Sequence, residues 1–146
     1  MLHMKEVTID NRIMGYIALF EKLGKVETRE CLENEDMILF IVGERRLSDL
    51  FKKNPNIISE LREKTNKHIL VVEYSRDLLT YVRNIFFRFG VKEVEVVWRS
   101  GQIDISVSVD QGEIGRAIGK EGRNIKLFRE AVQRHFSNVR SLNIKQ

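Results

Sequence analysis

The nine residues IGKEGRNIK, from Ile118 to Lys126, are the most informative stretch of this chain. They place two glycines, Gly119 and Gly122, three positions apart between two segments of helical periodicity. Glycine adopts positive φ angles and has no Cβ, so the amides of such a turn can face a phosphate group. A helix that begins near Arg123 adds unpaired N–H groups and the positive end of its dipole. We therefore expect a loop that binds a phosphate backbone.

The side chains around the glycines favour single-stranded RNA as the ligand. Basic residues recur in and beside the turn, and isoleucines stand on both sides of it. We expect the isoleucines to line an apolar groove for unstacked bases and the cations to reach the phosphates. The carboxylate of Glu121 weakens this attraction, and a merely structural turn is the alternative. The predicted RNA-contacting residues are Ile114, Arg116, Ile118, Gly119, Lys120, Glu121, Gly122, Arg123, Ile125 and Lys126.

Hydrophobic periodicity predicts the elements around this loop. Residues 102–109 alternate strictly between polar and apolar side chains, which is typical of a strand with one buried face. Asp110, three residues before Glu113, predicts a helix N-cap with a capping box. The predicted order is a helix at 76–89, strands at 93–98 and 102–109, helices at 111–118 and 123–136, and a strand at 139–144.

The N-terminal half repeats this order of elements. A shift of 66 residues places Gly90 on Gly24, and after the hairpin the match continues with a shift of 67 residues. Matches of this kind indicate a duplicated domain. The sequence therefore predicts an α+β fold with two domains, residues 1–74 and residues 75–146. Each domain has the order α-β-β-α-α-β, with three helices on one side of a three-stranded sheet.

The large aromatic residues of the C-terminal half are predicted to be structural. Trp98 ends an alternating strand and matches Cys31 of the first repeat, so core packing is favoured over a stacking platform for bases. Phe86, Phe87 and Phe89 follow one another closely on a helical segment, and we expect them in the core or between the domains.

The sequence resembles the KH family of RNA-binding domains, in the prokaryotic (type II) arrangement. Residues 117–127, AIGKEGRNIKL, are similar to the second KH unit of the NusA family of transcription termination and antitermination factors. A chain of two KH units resembles the short archaeal form of that family. The resemblance implies a loop that clamps about four nucleotides of single-stranded RNA, in a nascent transcript or ribosomal RNA. It also implies a role in transcription regulation, with RNA polymerase as a protein partner.

The first repeat departs from this pattern. It has Lys52-Lys53-Asn54-Pro55 where the second has the two glycines, and Pro55 has no N–H and a fixed negative φ. We therefore expect a degenerate loop that cannot cradle phosphate, and a first domain that is mainly a platform. The residues that can add secondary RNA contacts there are Arg45, Arg46, Lys52 and Lys53.

Charge and composition narrow the class of protein. The net charge of +4 is uneven, because residues 1–75 carry −1 and residues 76–146 carry +5, which favours a polyanion at the second half. The single cysteine, Cys31, favours a reducing, intracellular setting. The N-terminus lacks a signal peptide, and no apolar run is long enough for a bilayer. We predict a cytoplasmic protein with no membrane partner.

No catalytic or metal-binding pattern stands out. The three histidines, His3, His68 and His135, lack metal-ligand spacing. Hydrolase, P-loop and dinucleotide fingerprints are missing from the sequence. We therefore predict no metal, no cofactor, no small-molecule substrate and no enzymatic activity. Two other functions stay open: a protein-interaction scaffold built from KH units, and a ribosome-associated or ribosome-assembly RNA-binding protein.

Overall fold

The structure is a computed structural model that describes the backbone of residues 2–146 and the side chains of residues 11–146. It divides into two compact units, one ending at Tyr74 and one beginning at Ser75. The first unit contains α1 (Leu2–Gly24), β1 (Thr28–Glu33), β2 (Met37–Val42), α2 (Leu47–Lys53), α3 (Ile57–Thr65) and β3 (His68–Glu73). The second contains α4 (Leu78–Phe86), β4 (Glu93–Arg99), β5 (Gln102–Ser108), α5 (Ile114–Ile118), α6 (Arg123–Gln133) and β6 (Val139–Ile144). Short 3₁₀ turns lie at Phe87–Phe89, Gln111–Glu113 and Lys120–Gly122.

Both units have the same sheet topology. In each, the middle strand pairs antiparallel with the strand before it and parallel with the last strand of the unit. The crossover between the parallel strands carries two helices, α2 and α3 in the first unit and α5 and α6 in the second. This confirms the predicted α+β fold of two α-β-β-α-α-β units. No helix in the described part, residues 2–146, is both long and apolar enough to span a bilayer.

The core of the first unit forms between β2 and its helices. The ring of Phe20, on α1, stacks on the ring of Phe40, on β2, with centroids 4.5 Å apart. Gly24 ends α1 where the helix meets α2, and a Cβ there would lie 2.4 Å from the Cδ1 of Leu50. A side chain at position 24 would therefore have to displace the buried ends of Leu50 and Ile57, and the φ angle of Gly24 does not itself call for glycine.

An aromatic cluster fills the equivalent place in the second unit. The ring of Phe86 meets Phe128 of α6 edge-on at 5.3 Å, and Phe89 lies within 6.3 Å of Phe86. Phe86 and Phe89 are buried, as predicted from the sequence. Phe87 lies between them on the 3₁₀ turn and is 73% exposed, so the core alternative was wrong for this residue, whereas a contact between the domains stays a prediction.

Trp98 also differs from the prediction. It lies on the same face of the sheet as its partner Ile103, which is buried, yet Trp98 is 63% exposed. Because β4 is an edge strand, it is covered less well than the central strand β5, and Trp98 is next to the last residue of β4. Alternation identifies the face on which a residue lies but not how far the helices extend over it.

The predicted capping box at Asp110 does not form. The Asp110 side chain makes no capping hydrogen bond, although the N–H of Glu113 donates to its backbone carbonyl at 2.8 Å. The carboxylate instead lies over Gly90, where a Cβ would meet Oδ2 at 2.1 Å, and its Oδ1 is 3.9 Å from Nζ of Lys92. Gly90 leaves room for this carboxylate, and the ammonium group of Lys92 lies near it.

Candidate nucleic-acid interface

The loop between α5 and α6 has a backbone that only glycine-rich sequences adopt easily. Gly119 has φ 79° and ψ 170°, whereas Glu121 and Gly122 are left-handed, with φ 57° and 73°. The N–H of Gly122 donates to the carbonyl of Gly119 at 3.1 Å, which closes the turn. Three positive φ angles within four residues turn the chain sharply between the two helices.

Asn124 fixes this turn from the helix side. Its Nδ2 donates to the carbonyl of Arg116 at 2.9 Å, which joins the last turn of α5 to the first turn of α6. A Cβ on Gly119 would lie 2.8 Å from the backbone nitrogen of Asn124. The sequence prediction did not single out Asn124. An asparagine just inside a helix that follows a Gly-rich turn is the signal that could have identified it.

The middle of the loop offers free backbone donors. Among the hydrogen bonds of residues 11–146, none involves the N–H of Lys120 or of Glu121. Successive N–H groups in a left-handed turn form a concave site for an anion. The N-terminus of α6, which begins at Arg123, lies directly behind them and adds a positive dipole end.

The predicted cations differ in how available they are. Lys120 and Lys126 are exposed, and neither forms an ion pair with any described residue. Arg116 is exposed but its Nη1 lies 3.2 Å from the carboxylate of Glu113. Arg123 is half-buried and interacts with other groups of the chain. The two lysines are therefore the cations most ready for a ligand.

The three isoleucines do not share one environment. Ile114 and Ile118, on α5, are half-buried, whereas Ile125 on α6 is only 8% exposed. The structure therefore places Ile125 in the core under the loop. The apolar surface next to the loop is provided by Ile114 and Ile118.

The corresponding loop of the first unit is closed by its own side chains. Nδ2 of Asn54 donates to the carbonyl of Leu23 at 3.0 Å and to the Glu60 carboxylate at 2.6 Å. The Asn54 side-chain oxygen accepts from the N–H of Asn56 at 3.1 Å, so this loop amide is already bonded. Residues 52–56 contain no positive φ angle. This geometry cannot present amides as the second loop does.

A basic cleft of about 450 Å³ lies beside this closed loop. Arg46 and Lys53 line it, whereas Arg45 and Lys52 are exposed elsewhere on the unit. Nη1 of Arg46 is 3.3 Å from the Asp49 carboxylate, and Nζ of Lys53 donates to the carbonyl of Lys25 at 3.0 Å. The remaining lining residues are Lys25, Val26, Glu27, Thr28, Arg29 and Gly43.

Comparison with known proteins identifies the family. A family model described as the NusA-like second KH domain matches residues 78–145, which include the Gly119–Gly122 loop. A protein of Thermoplasma acidophilum, named probable transcription termination protein NusA, is 57% identical over 145 residues, covering 99% of this chain and 100% of the relative. This chain belongs to the NusA family. The resemblance of the sequence to the short archaeal NusA-type KH region is therefore confirmed.

One further relative carries the same name, and one solved structure has a similar fold. A protein of Halococcus morrhuae with the same name is 25% identical over 130 residues, covering 89% of this chain and 93% of the relative. The crystal structure of APE1850 superposes with a TM-score of 0.66 at 30% identity, covering 92% of this chain and 98% of that one. The fold is therefore shared with APE1850 over nearly the whole length of both chains.

Proposed function

We propose that this NusA-family chain is an RNA-binding transcription termination factor that holds single-stranded RNA at the Gly119–Gly122 loop. The observation that carries the proposal is the pair of unbonded amides at Lys120 and Glu121, within a unit that matches the NusA-like second KH domain. The relatives named as probable transcription termination proteins support the cellular role. RNA polymerase is the proposed protein partner, because termination takes place on the transcribing enzyme.

Different groups of the proposed site contact the phosphates and the bases of the RNA. A phosphate oxygen accepts from the amides of Lys120 and Glu121, and the ammonium groups of Lys120 and Lys126 add charge attraction. The half-buried side chains of Ile114 and Ile118 provide an apolar surface for bases that leave the stack. The exposed carboxylate of Glu121 opposes the lysines and keeps the affinity modest.

The first unit contributes charge rather than a second clamp. Its loop amides are used internally, and Arg46 and Lys53 already have partners within the unit. Together with the exposed side chains of Arg45 and Lys52, they raise the local concentration of RNA without fixing its register. We therefore place specific backbone recognition on the second unit.

The proposal is tested with the double variant Lys120→Glu/Lys126→Glu, because both side chains are exposed and the loop glycines stay intact. The matched control is Arg62→Glu/Lys64→Glu, which makes the same charge change at two exposed positions of α3. Equilibrium binding to a pool of short single-stranded RNAs is measured over a range of salt concentrations, and circular dichroism verifies the fold.

We expect the loop variant to lose most of its affinity and the control to keep it. The slope of log K against log salt falls by about 0.7 for each lost phosphate contact, or about 1.4 for both lysines. Equal affinities for loop variant and control would refute the loop mechanism. If the wild type binds no RNA but retains protein partners after nuclease treatment, a scaffold function replaces the proposal.

A further inference from the structure

Trp98 is a large aromatic surface in an unexpected place. It is the only tryptophan of the sequence and is 63% exposed near the tip of the β4–β5 hairpin. Burial of an indole ring in a protein is favourable in free energy, and soluble proteins keep most of each ring covered. The loop site described above does not involve Trp98.

The hairpin holds this ring on a rigid support. Ser100 and Gly101 have φ angles of 52° and 79°, the two left-handed residues that a two-residue hairpin turn requires. The pairs Trp98–Ile103 and Arg99–Gln102 continue the ladder directly up to that turn. Because the backbone is already ordered here, binding of a ligand at Trp98 costs little conformational entropy.

The charge around the tip favours an anionic ligand. Arg99 is exposed and forms no ion pair with any described residue. Two carboxylates of the hairpin are paired, since Asp104 bonds to Arg140 and also feels the charge of Arg99, and Glu95 lies 3.3 Å from Nζ of Lys145. The tip thus presents an exposed aromatic ring on one face of the edge strand β4 and an exposed cation, Arg99, on the other.

We propose that single-stranded RNA crosses the open edge of β4 at the hairpin tip, where a base stacks on Trp98 and the phosphates of the same RNA strand face Arg99 on the other side of that edge, as a contact separate from the Gly119–Gly122 loop. The inference rests on the proposed RNA-binding function. Stacking on an aromatic ring contributes to single-strand binding and tolerates any base, because each base has a π-face. An RNA ligand therefore fits both features of the tip, whereas a purely apolar protein surface would leave Arg99 without a partner.

The topology places this contact away from the loop. Strands β5 and β6 are parallel, and Ile103, next to the hairpin tip, is opposite Val139, where β6 begins. Helix α6 leads into β6 through residues 134–138 and packs back along it, so the loop before α6 lies towards the other end of the sheet. Seven strand residues span about 20 Å. An RNA strand that contacts both Trp98 and the Gly119–Gly122 loop must therefore be longer than the roughly four nucleotides that a KH loop clamps.

The test uses Trp98 as its own probe. The intrinsic fluorescence of the wild type is titrated with single-stranded RNA of four and of twelve nucleotides, and with inorganic polyphosphate, which has charge but no bases. Affinities for the same RNAs are then measured by an independent method for Trp98→Ala, Trp98→Phe and the control Phe87→Ala, which removes a similarly exposed aromatic ring of the same unit. The Lys120→Glu/Lys126→Glu variant is measured in parallel.

We expect the twelve-nucleotide RNA, but not polyphosphate, to quench the fluorescence. Trp98→Ala should weaken binding of that RNA by about fivefold to tenfold, the lower part of the range for one stacked base, and Trp98→Phe should recover most of it. The tetranucleotide should quench the fluorescence only slightly. The Phe87→Ala control should bind the twelve-nucleotide RNA almost as tightly as the wild type. If the wild type binds the long RNA through its loop lysines without a change in Trp98 fluorescence, and Trp98→Ala binds that RNA as tightly as the wild type, this inference is overturned and the proposed function stands. If the wild type binds neither RNA, both are overturned.

Discussion

The substitution Gly119→Ala should destabilise the second unit much more than Gly122→Ala. Gly119 has φ 79° and ψ 170°, a region that only glycine adopts readily, and an L-residue held there costs about 1–3 kcal/mol. The new Cβ would also lie 2.8 Å from the backbone nitrogen of Asn124 and equally close to its Cβ. Relief of this clash moves the start of α6 and weakens the hydrogen bond from Asn124 to Arg116. The loss of one such bond adds about 1 kcal/mol.

Gly122 is the matched comparison because it lies in the same turn without the clash. It is left-handed, with φ 73°, and a Cβ there would meet its nearest neighbour, the Cγ2 of Ile125, at 3.9 Å. Only the left-handed strain remains, which costs about 1–2 kcal/mol. We therefore expect a total of about 2–4 kcal/mol for Gly119→Ala, roughly twice the cost of Gly122→Ala.

Thermal unfolding followed by circular dichroism measures this difference. For a domain of this size, 1 kcal/mol corresponds to a shift of about 4–8 °C in Tm, so Gly119→Ala should lower the transition by on the order of 10 °C or more. Equal shifts for the two variants, or no shift for Gly119→Ala, would refute the steric argument. The expected instability is also the reason for testing RNA binding with the exposed lysines, since a loss of binding in a glycine variant could follow from a loss of structure.

Two further predictions concern other parts of the fold. Hydrogen bonds from Arg140 and Ser141 lower the pKa of Asp104 from 3.8 to about 2, so the stabilisation that this carboxylate provides is complete above pH 4 and is lost as the pH falls towards 2. The Tm difference between wild type and Asp104→Asn should shrink over that interval, and a constant difference would contradict this assignment. Asn54→Ala should destabilise the first unit by about 1–3 kcal/mol in urea unfolding, because the Leu23 carbonyl loses a donor, whereas the exposed neighbour Lys52→Ala should be nearly neutral.

Much of the fold was predictable because it depends on local patterns. The alternation over residues 102–109 and the spacing of glycines define a hairpin and helix ends without reference to the rest of the chain. The final strand was predicted at 139–144, where the structure has it. The glycine loop was predictable for the same reason, since the need for positive φ is expressed in the sequence itself.

The features that the sequence did not reveal depend on tertiary neighbours. Trp98 has the alternation of a core residue and becomes exposed only because β4 is an edge strand. Asp110 has the spacing of an N-cap, but Gly90 and Lys92 offer its carboxylate a different place. The place of Asn124 just inside α6 could have drawn attention to it, but its partner, the carbonyl of Arg116 eight residues earlier in the chain, depends on how the two helices meet.

The two loops differ because the same helix end is satisfied in two ways. In the first unit the carbonyl of Leu23, at the end of α1, accepts from the side chain of Asn54 in the loop. In the second unit the carbonyl at the matching position, Phe89, accepts from the backbone N–H of Asp110, which follows β5. The connection after β5 therefore supplies the hydrogen-bond donor that the loop supplies in the first unit.

This exchange accompanies a difference in the hydrogen bonding of the two loops. A loop that supplies a donor to a helix end is held against its own fold, and its polar groups are used. In the second unit Asp110 supplies the donor to that helix end, and the amides of Lys120 and Glu121 are unbonded within the described chain. The glycines determine the shape of this loop, and in the function that we propose the RNA phosphates complete its hydrogen bonds. The proposed site thus involves a residue outside the loop as well as the glycines within it.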